Sequence, residues 1–137
     1  MAIGALHSAA SGVTAGLWST VVAADSVANA STVRGGSEAP YRAGRVQLAA
    51  QPGSGGVTGV GVTRVAGDPA VVHDPQHPLA DGRGAVALPA VDVAAEMTQT
   101  FLAQRFVQAN LVTLRTAAET YRDVVGPAAR RVEAVSL

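Results

Sequence analysis

His73, Asp74, His77 and Asp81 put two imidazoles and two carboxylates within nine residues, a donor set that could ligate Zn²⁺ or Fe²⁺. In its tightest form this reads as a small metal-dependent enzyme built on His73, His77 and Asp81. Metal ligands, however, are usually fixed by regular structure. Here Pro75, Pro78 and the pair Asp81-Gly82 break the segment into an irregular turn. A turn held by the hydrogen bonds of Asp and His is the weightier expectation. A hydrolytic triad could recruit Ser8 or Ser11 with a His and an Asp, but no Gly-x-Ser-x-Gly elbow is present. Gly59-Val60-Gly61 lacks the third glycine and the following helix of a dinucleotide loop, and there is no P-loop. The residues therefore predict no catalytic group, no cofactor, no bound metal and no small-molecule substrate.

The elements that flank this segment carry a stronger signal. Ile3, Leu6, Ala10, Val13, Leu17, Thr20, Ala24 and Val27 step by three and four along the N-terminal part. Val93, Met97, Thr100, Gln104, Val107, Leu111, Leu114, Ala118, Tyr121 and Val125 do the same near the C-terminus. A period of about 3.5 residues keeps one stripe of a helix against a partner, so both read as coiled-coil seams, and stripes at the two ends of a short chain predict that the ends meet. The first helix is expected from residue 3 to about residue 30. Gly4, Gly12 and Gly16 each cost about 1 kcal/mol relative to Ala there, which suits a helix packed closely on another better than an isolated one. Asp92 is a natural N-cap for the second helix, Glu96 favours its first turns, and Gly126-Pro127 is expected to stop it. About 34 residues rising ~1.5 Å each make a rod of roughly 50 Å.

Between the helices the composition changes: six of the seven prolines fall from Pro40 to Ala90, among many glycines and short Val-rich runs. Arg45–Leu48, Gly59–Thr63 and Ala85–Leu88 read as short strands, with a turn over Gln51–Gly56. The expected fold is α+β and mainly α: long terminal helices packed as a coiled-coil-like stalk around a small, loop-rich β region. The expected segments are residues 1–36 for the first helix and its exit turn, 37–91 for the β region, 92–126 for the long second helix and 127–137 for a tail.

Composition bounds the function further. The 137 residues include 28 Ala and 21 Val, against 17 for Leu, Ile, Met, Phe, Tyr and Trp together, so the core is expected to be thin. At roughly 25 cal/mol per Å² of apolar burial, such a chain alone is marginally stable, and partner surfaces are expected to supply the rest. The net charge is zero and all ten cations are scattered Arg, which argues against nucleic acid as a partner. There is no Cys, and hence no disulfide or thiolate site. Neither a secretory leader nor a run of about 20 apolar residues is apparent, so the chain reads as soluble.

Several segments, in order, resemble the flagellar basal-body rod family, and within it the short proximal C-type subunits. Ser8 to Ala15 resembles the family's Ser/Ala/Gly opening, and Val27 to Thr32 its Asn/Thr signature. Pro40-Tyr41-Arg42 and Arg45-Val46 are similar to its middle segment, and Asp74-Pro75-Gln76-His77-Pro78-Leu79-Ala80-Asp81, followed by Gly84, Val86 and Pro89, is the sharpest match. Glu96-Met97 and Arg105 to Asn110 resemble the start and middle of its C-terminal helix. Two departures stand out: Asp25-Ser26 where paired asparagines are usual, and Ala43-Gly44 where basic residues are expected.

The resemblance implies a structural subunit of the axial rod, exported unfolded by the flagellar type III apparatus without leader cleavage and located in the basal body outside the cytoplasm, in periplasm or cell wall. Its implied partners are other rod subunits, the junction protein between basal-body ring and export gate, and further copies of itself. The residues expected to carry assembly are Leu6, Val13, Leu17, Val27, Asn29, Met97, Arg105, Val107, Asn110, Leu111, Leu114 and Tyr121. Asp74, Pro75, His77, Pro78 and Asp81 form the family-signature segment. A generic helical adaptor would share the seams without the ordered motifs. Gln104, Arg105, Gln108 and Asn110 would set register between packed helices or simply form a solvated face.

Overall fold

The computed structural model describes residues 2–53, 55–67 and 69–135. Two helices frame five short strands: α1 (Ala2–Ala28), β1 (Arg34–Gly35), β2 (Gly44–Ala50), β3 (Val57–Arg64), β4 (Val71–His73), β5 (Ala85–Ala87) and α2 (Val93–Val135). The fold is α+β, with antiparallel sheets between terminal helices.

Strands β2 and β3 form a hairpin from Gly44↔Arg64 to Ala50↔Val57, with a bulge between Gln47 and Leu48 that shifts the register. A separate sheet runs β1-β5-β4, pairing Arg34 with Ala87 and His73 with Ala85. The three strands expected from the Val-rich runs are present. Strands β1 and β4 were not expected, because each is only two or three residues long and takes its hydrogen bonds from β5, which for β1 lies about fifty residues away.

Asp92 caps α2 as its sequence position implies: Oδ1 accepts from the amides of Ala94 and Ala95 at 3.0 and 3.1 Å. The helix does not stop at Gly126-Pro127. It runs through both to Val135, with Pro127 inside it. Proline removes one donor and distorts a helix without always ending it. The expected tail at 127–137 is thus helical to residue 135, and residues 136–137 lie outside the described residues.

The two helices run antiparallel, since Gly12 lies against Asn110 and Gly16 against Val107. The stripe of α1 that makes this contact is not the expected one. Ala9, Gly12, Gly16, Ser19, Ala23 and Ser26 face inward, while Ile3, Leu17 and Val27 of the expected seam are 70%, 54% and 37% exposed. Both stripes obey the three-four spacing. Close approach decides between them, because small residues let two backbones come near enough for dense dispersion contact, and larger side chains would hold the helices apart. A β-carbon at Gly12 would overlap the Asn110 amide, and one at Gly16 would press into Val107.

On α2 the expected seam is half right. Thr100, Val107, Leu114 and Ala118 are part-buried, together with Asn110 and Ala117, and Glu96 and Ala103 are buried. Val93, Met97, Gln104, Leu111, Tyr121 and Val125 are exposed. Among the described residues the buried apolar ones are Ala9, Ala15, Ala23, Ala43, Val86, Ala87 and Ala103, which is the thin core the composition predicts.

Candidate assembly interface

The outward face of α1 is the first component. Ile3, Ala10, Leu17, Val21, Ala24 and Ala28 are exposed along it, with Leu6 and Val13 part-covered beside them. Val21 is 64% exposed. Between Ala2 and Ala28 the ionisable side chains are His7 and Asp25 alone, so this face has almost no charge to keep it in water. On α2, Val93, Met97, Phe101, Leu111 and Val112 are exposed, Met97 at 64% and Phe101 at 56%. Exposed apolar side chains in such a row make the two faces candidate interaction surfaces.

The polar residues expected at the interface divide by position. Asn110 is part-buried where α2 meets Gly12, and its Nδ2 donates to the Phe106 carbonyl at 2.9 Å, so it sits within the helix pair of one chain. Arg105 points outward, with its guanidinium 5.0 Å from the Phe101 ring centre and 3.2 Å from Gln108 Oε1. Asn29 closes α1: its Nδ2 donates to the Asp25 carbonyl at 2.9 Å and its Oδ1 accepts from Thr32 Oγ1 at 3.2 Å. Asp25 also accepts from the Tyr41 hydroxyl at 2.6 Å, tying the exit of α1 to the chain before β2.

Side chains that the sequence either passed over, as with Trp18, or singled out for other reasons, as with Ser11, Ser26 and Arg45, join the hairpin to the helices. The Trp18 ring lies on Gly59, leaving no room for a β-carbon there. The Ser11 hydroxyl accepts from the Val57 amide at 3.0 Å, which makes it part of the hairpin's seat on α1. Fully buried Ser26 donates to the Val22 carbonyl and accepts from the Gly44 amide, each at 3.0 Å. A side chain at Gly44 would collide with Val22 and Val62. The two departures from the family pattern thus meet at one contact. Arg45 grips Glu96 with both terminal nitrogens, at 2.8 and 2.7 Å. Its two members are 51 positions apart, so no local pattern announces the pair.

The His/Asp segment is a tight turn. Asp74 Oδ1 accepts from the Gln76 amide at 3.3 Å, His77 Nδ1 from the Leu79 amide at 3.1 Å, and Asp81 Oδ1 from the amides of Arg83 and Ala85, each at 2.9 Å. The Ala85 and Arg83 amides, in that order, hold the Asp81 carboxyl below the usual aspartate range. Among the described residues, no group of three or more His, Asp or Glu side chains converges on a point that could hold a metal ion. The segment joins β4 to β5 and sets their pairing.

No family model matches the chain. Curated relatives do. The chain is 46% identical over 100 residues to the flagellar basal-body rod protein FlgC of Yersinia enterocolitica, a match that covers 69% of this chain and 74% of that protein. It is 43% identical over 99 residues to the FlgC proteins of Salmonella typhimurium and Escherichia coli O157:H7, with the same coverage of each.

Proposed function

The chain belongs to the flagellar basal-body rod proteins, and from that membership we infer how it works: as a structural subunit of the rod whose terminal helices assemble into a hollow axial shaft that transmits motor torque. The observation that carries this reading is the pair of stripes on α1. One, of small residues, is used up against α2 within the chain. The other, of larger apolar residues, is left bare. A helix in a self-sufficient domain needs one apolar stripe, and a second is accounted for when a neighbouring subunit covers it. The three-four spacing of the inward positions on both helices supports coiled-coil-like packing of the pair.

Torque is borne by many shared contacts rather than by any reactive group, which fits a chain whose polar side chains are spent on turns and caps. The proximal rod is the expected position. Neighbouring rod subunits, the ring and export-gate junction and further copies of the chain are the partners this reading requires. Export in an unfolded state, by the type III route to the outside of the cytoplasm, suits a thin core that gains little before assembly. Among the described residues, no helix is long and apolar enough to cross a membrane.

The test is complementation of a strain deleted for the gene. Leu17→Asp combined with Val21→Asp alters only the outward stripe, so the purified chain should keep its helical circular dichroism and melting temperature while the strain stays non-motile and without hooks. Swimming at parental speed with this variant would sink the reading.

A further inference from the structure

The β2–β3 hairpin meets the two helices by different means. It is seated on α1 by Trp18 against Gly59, by the Ser11 bond to the Val57 amide and by the Ser26 bond to the Gly44 amide. On the α2 side, among the described residues, no Cα of either hairpin strand comes within 8 Å of a Cα of α2. The space between them is an apolar groove of about 370 Å³, walled by Val46 and Leu48 on the hairpin and by Leu102 and Phe106 on the helix. Arg45 crosses from the hairpin to Glu96.

Glu96 is 1% exposed, and both its oxygens engage the guanidinium of Arg45, whose side chain is 36% exposed. A carboxylate held this far from water requires a compensating cation, and the fork of Arg supplies two parallel bonds in a fixed geometry. With the cation removed, the carboxylate must be hydrated, and Arg45 itself is part of the groove wall. The α1–α2 contact, through Ala9, Gly12, Gly16 and Ala23, makes no use of the pair.

We propose that the hairpin is a strap, hinged along α1 and fastened to α2 by the Arg45–Glu96 pair, and that unfastening it swings β2 away from α2 and widens the groove over Leu102 and Phe106, which are already 55% and 46% exposed with the strap fastened. The hinge stays put because the contacts of Trp18, Ser11 and Ser26 all lie on α1.

The chain has no cysteine, so spin-label pairs can be placed at introduced cysteines without first removing any native one. One pair at exposed Gln47 and Gln104 reports the hairpin against α2, and a second at exposed Thr14 and Thr113 reports α1 against α2. Pulsed electron-spin measurements on the full-length chain would compare the parent with Arg45→Ala and with Arg45→Ala/Glu96→Ala. The double variant guards against unfolding, since it leaves no uncompensated buried charge. Acrylamide quenching of Trp18, the single tryptophan, reports the hinge.

The expected result is a longer hairpin-to-α2 distance, at least twice as broadly distributed, in both variants, with the helix-to-helix distribution and Trp18 quenching unchanged. An unchanged hairpin-to-α2 distribution in the double variant overturns the strap. Equal broadening of both label pairs overturns it too, by making the ion pair a general stabiliser, and a rise in Trp18 quenching overturns the hinge on α1.

Discussion

Trp18 and Gly59 form a contact in which one ring occupies the place of a side chain, so Gly59→Val forces either the ring or the strand to move. Overpacking of this kind costs about 1–3 kcal/mol. The variant should lower the melting temperature and raise Trp18 quenching, whereas Gly61→Val, at an open position on the same strand, should do neither. Asp81 makes a prediction about pH. Its carboxyl is held below the ordinary aspartate value by the Ala85 and Arg83 amides, so the charged form is favoured in the folded chain. Its stabilising contribution is therefore complete above the unfolded aspartate value and fades as pH falls through the lowered folded value. Protection of the Arg83 and Ala85 amides, taken relative to their intrinsic exchange rates at each pH, should fall on acidification through that range in the parent, and Asp81→Ala should abolish this loss of protection. An acid response that survives the substitution would assign it to another group.

The two helices behave as elements with an inside and an outside, and Leu111 and Leu114 separate the two on α2. Leu111 is 38% exposed, whereas Leu114 is part-buried on the stripe that continues Val107 and Asn110 toward α1. A carboxylate at position 114 should destabilise the isolated chain by about 1–3 kcal/mol, while one at position 111 should change its stability by less than about 0.5 kcal/mol. Thermal melts of Leu114→Asp and Leu111→Asp check the difference, and equal melting temperatures would mean that the inner stripe is drawn wrongly. In complementation both should fail, the first through folding and the second through assembly. The extension of α2 through Pro127 belongs to the same scale, because a missing donor is a local loss that a long helix can absorb.

As a whole the molecule buries little and exposes much. Among the described residues the buried apolar ones are six alanines and one valine, while Ile3, Leu17, Phe101, Leu102 and Phe106 remain 46–70% exposed. An Ala methyl removes little area from water, so folding within one chain gains little and association with neighbours gains more. The isolated chain should melt early, with a midpoint that rises with protein concentration or on mixing with other rod subunits; a high, concentration-independent midpoint would contradict shared stabilisation. Residue types and spacing determined the order helix, strands, helix, since the N-cap at Asp92, the Pro- and Gly-bounded Val runs and the turn at Asp74–Asp81 are local features set by short-range sterics and hydrogen bonding. Periodicity also marked the terminal helices, but it could not say which of two stripes on α1 turns inward. That depended on how closely Gly12 and Gly16 let α2 approach, a property of two surfaces together. The pairing of β1 with β5 and the Arg45–Glu96 grip were likewise decided by tertiary structure, because their partners lie about fifty positions apart along the chain, whereas β4 meets β5 across the local turn.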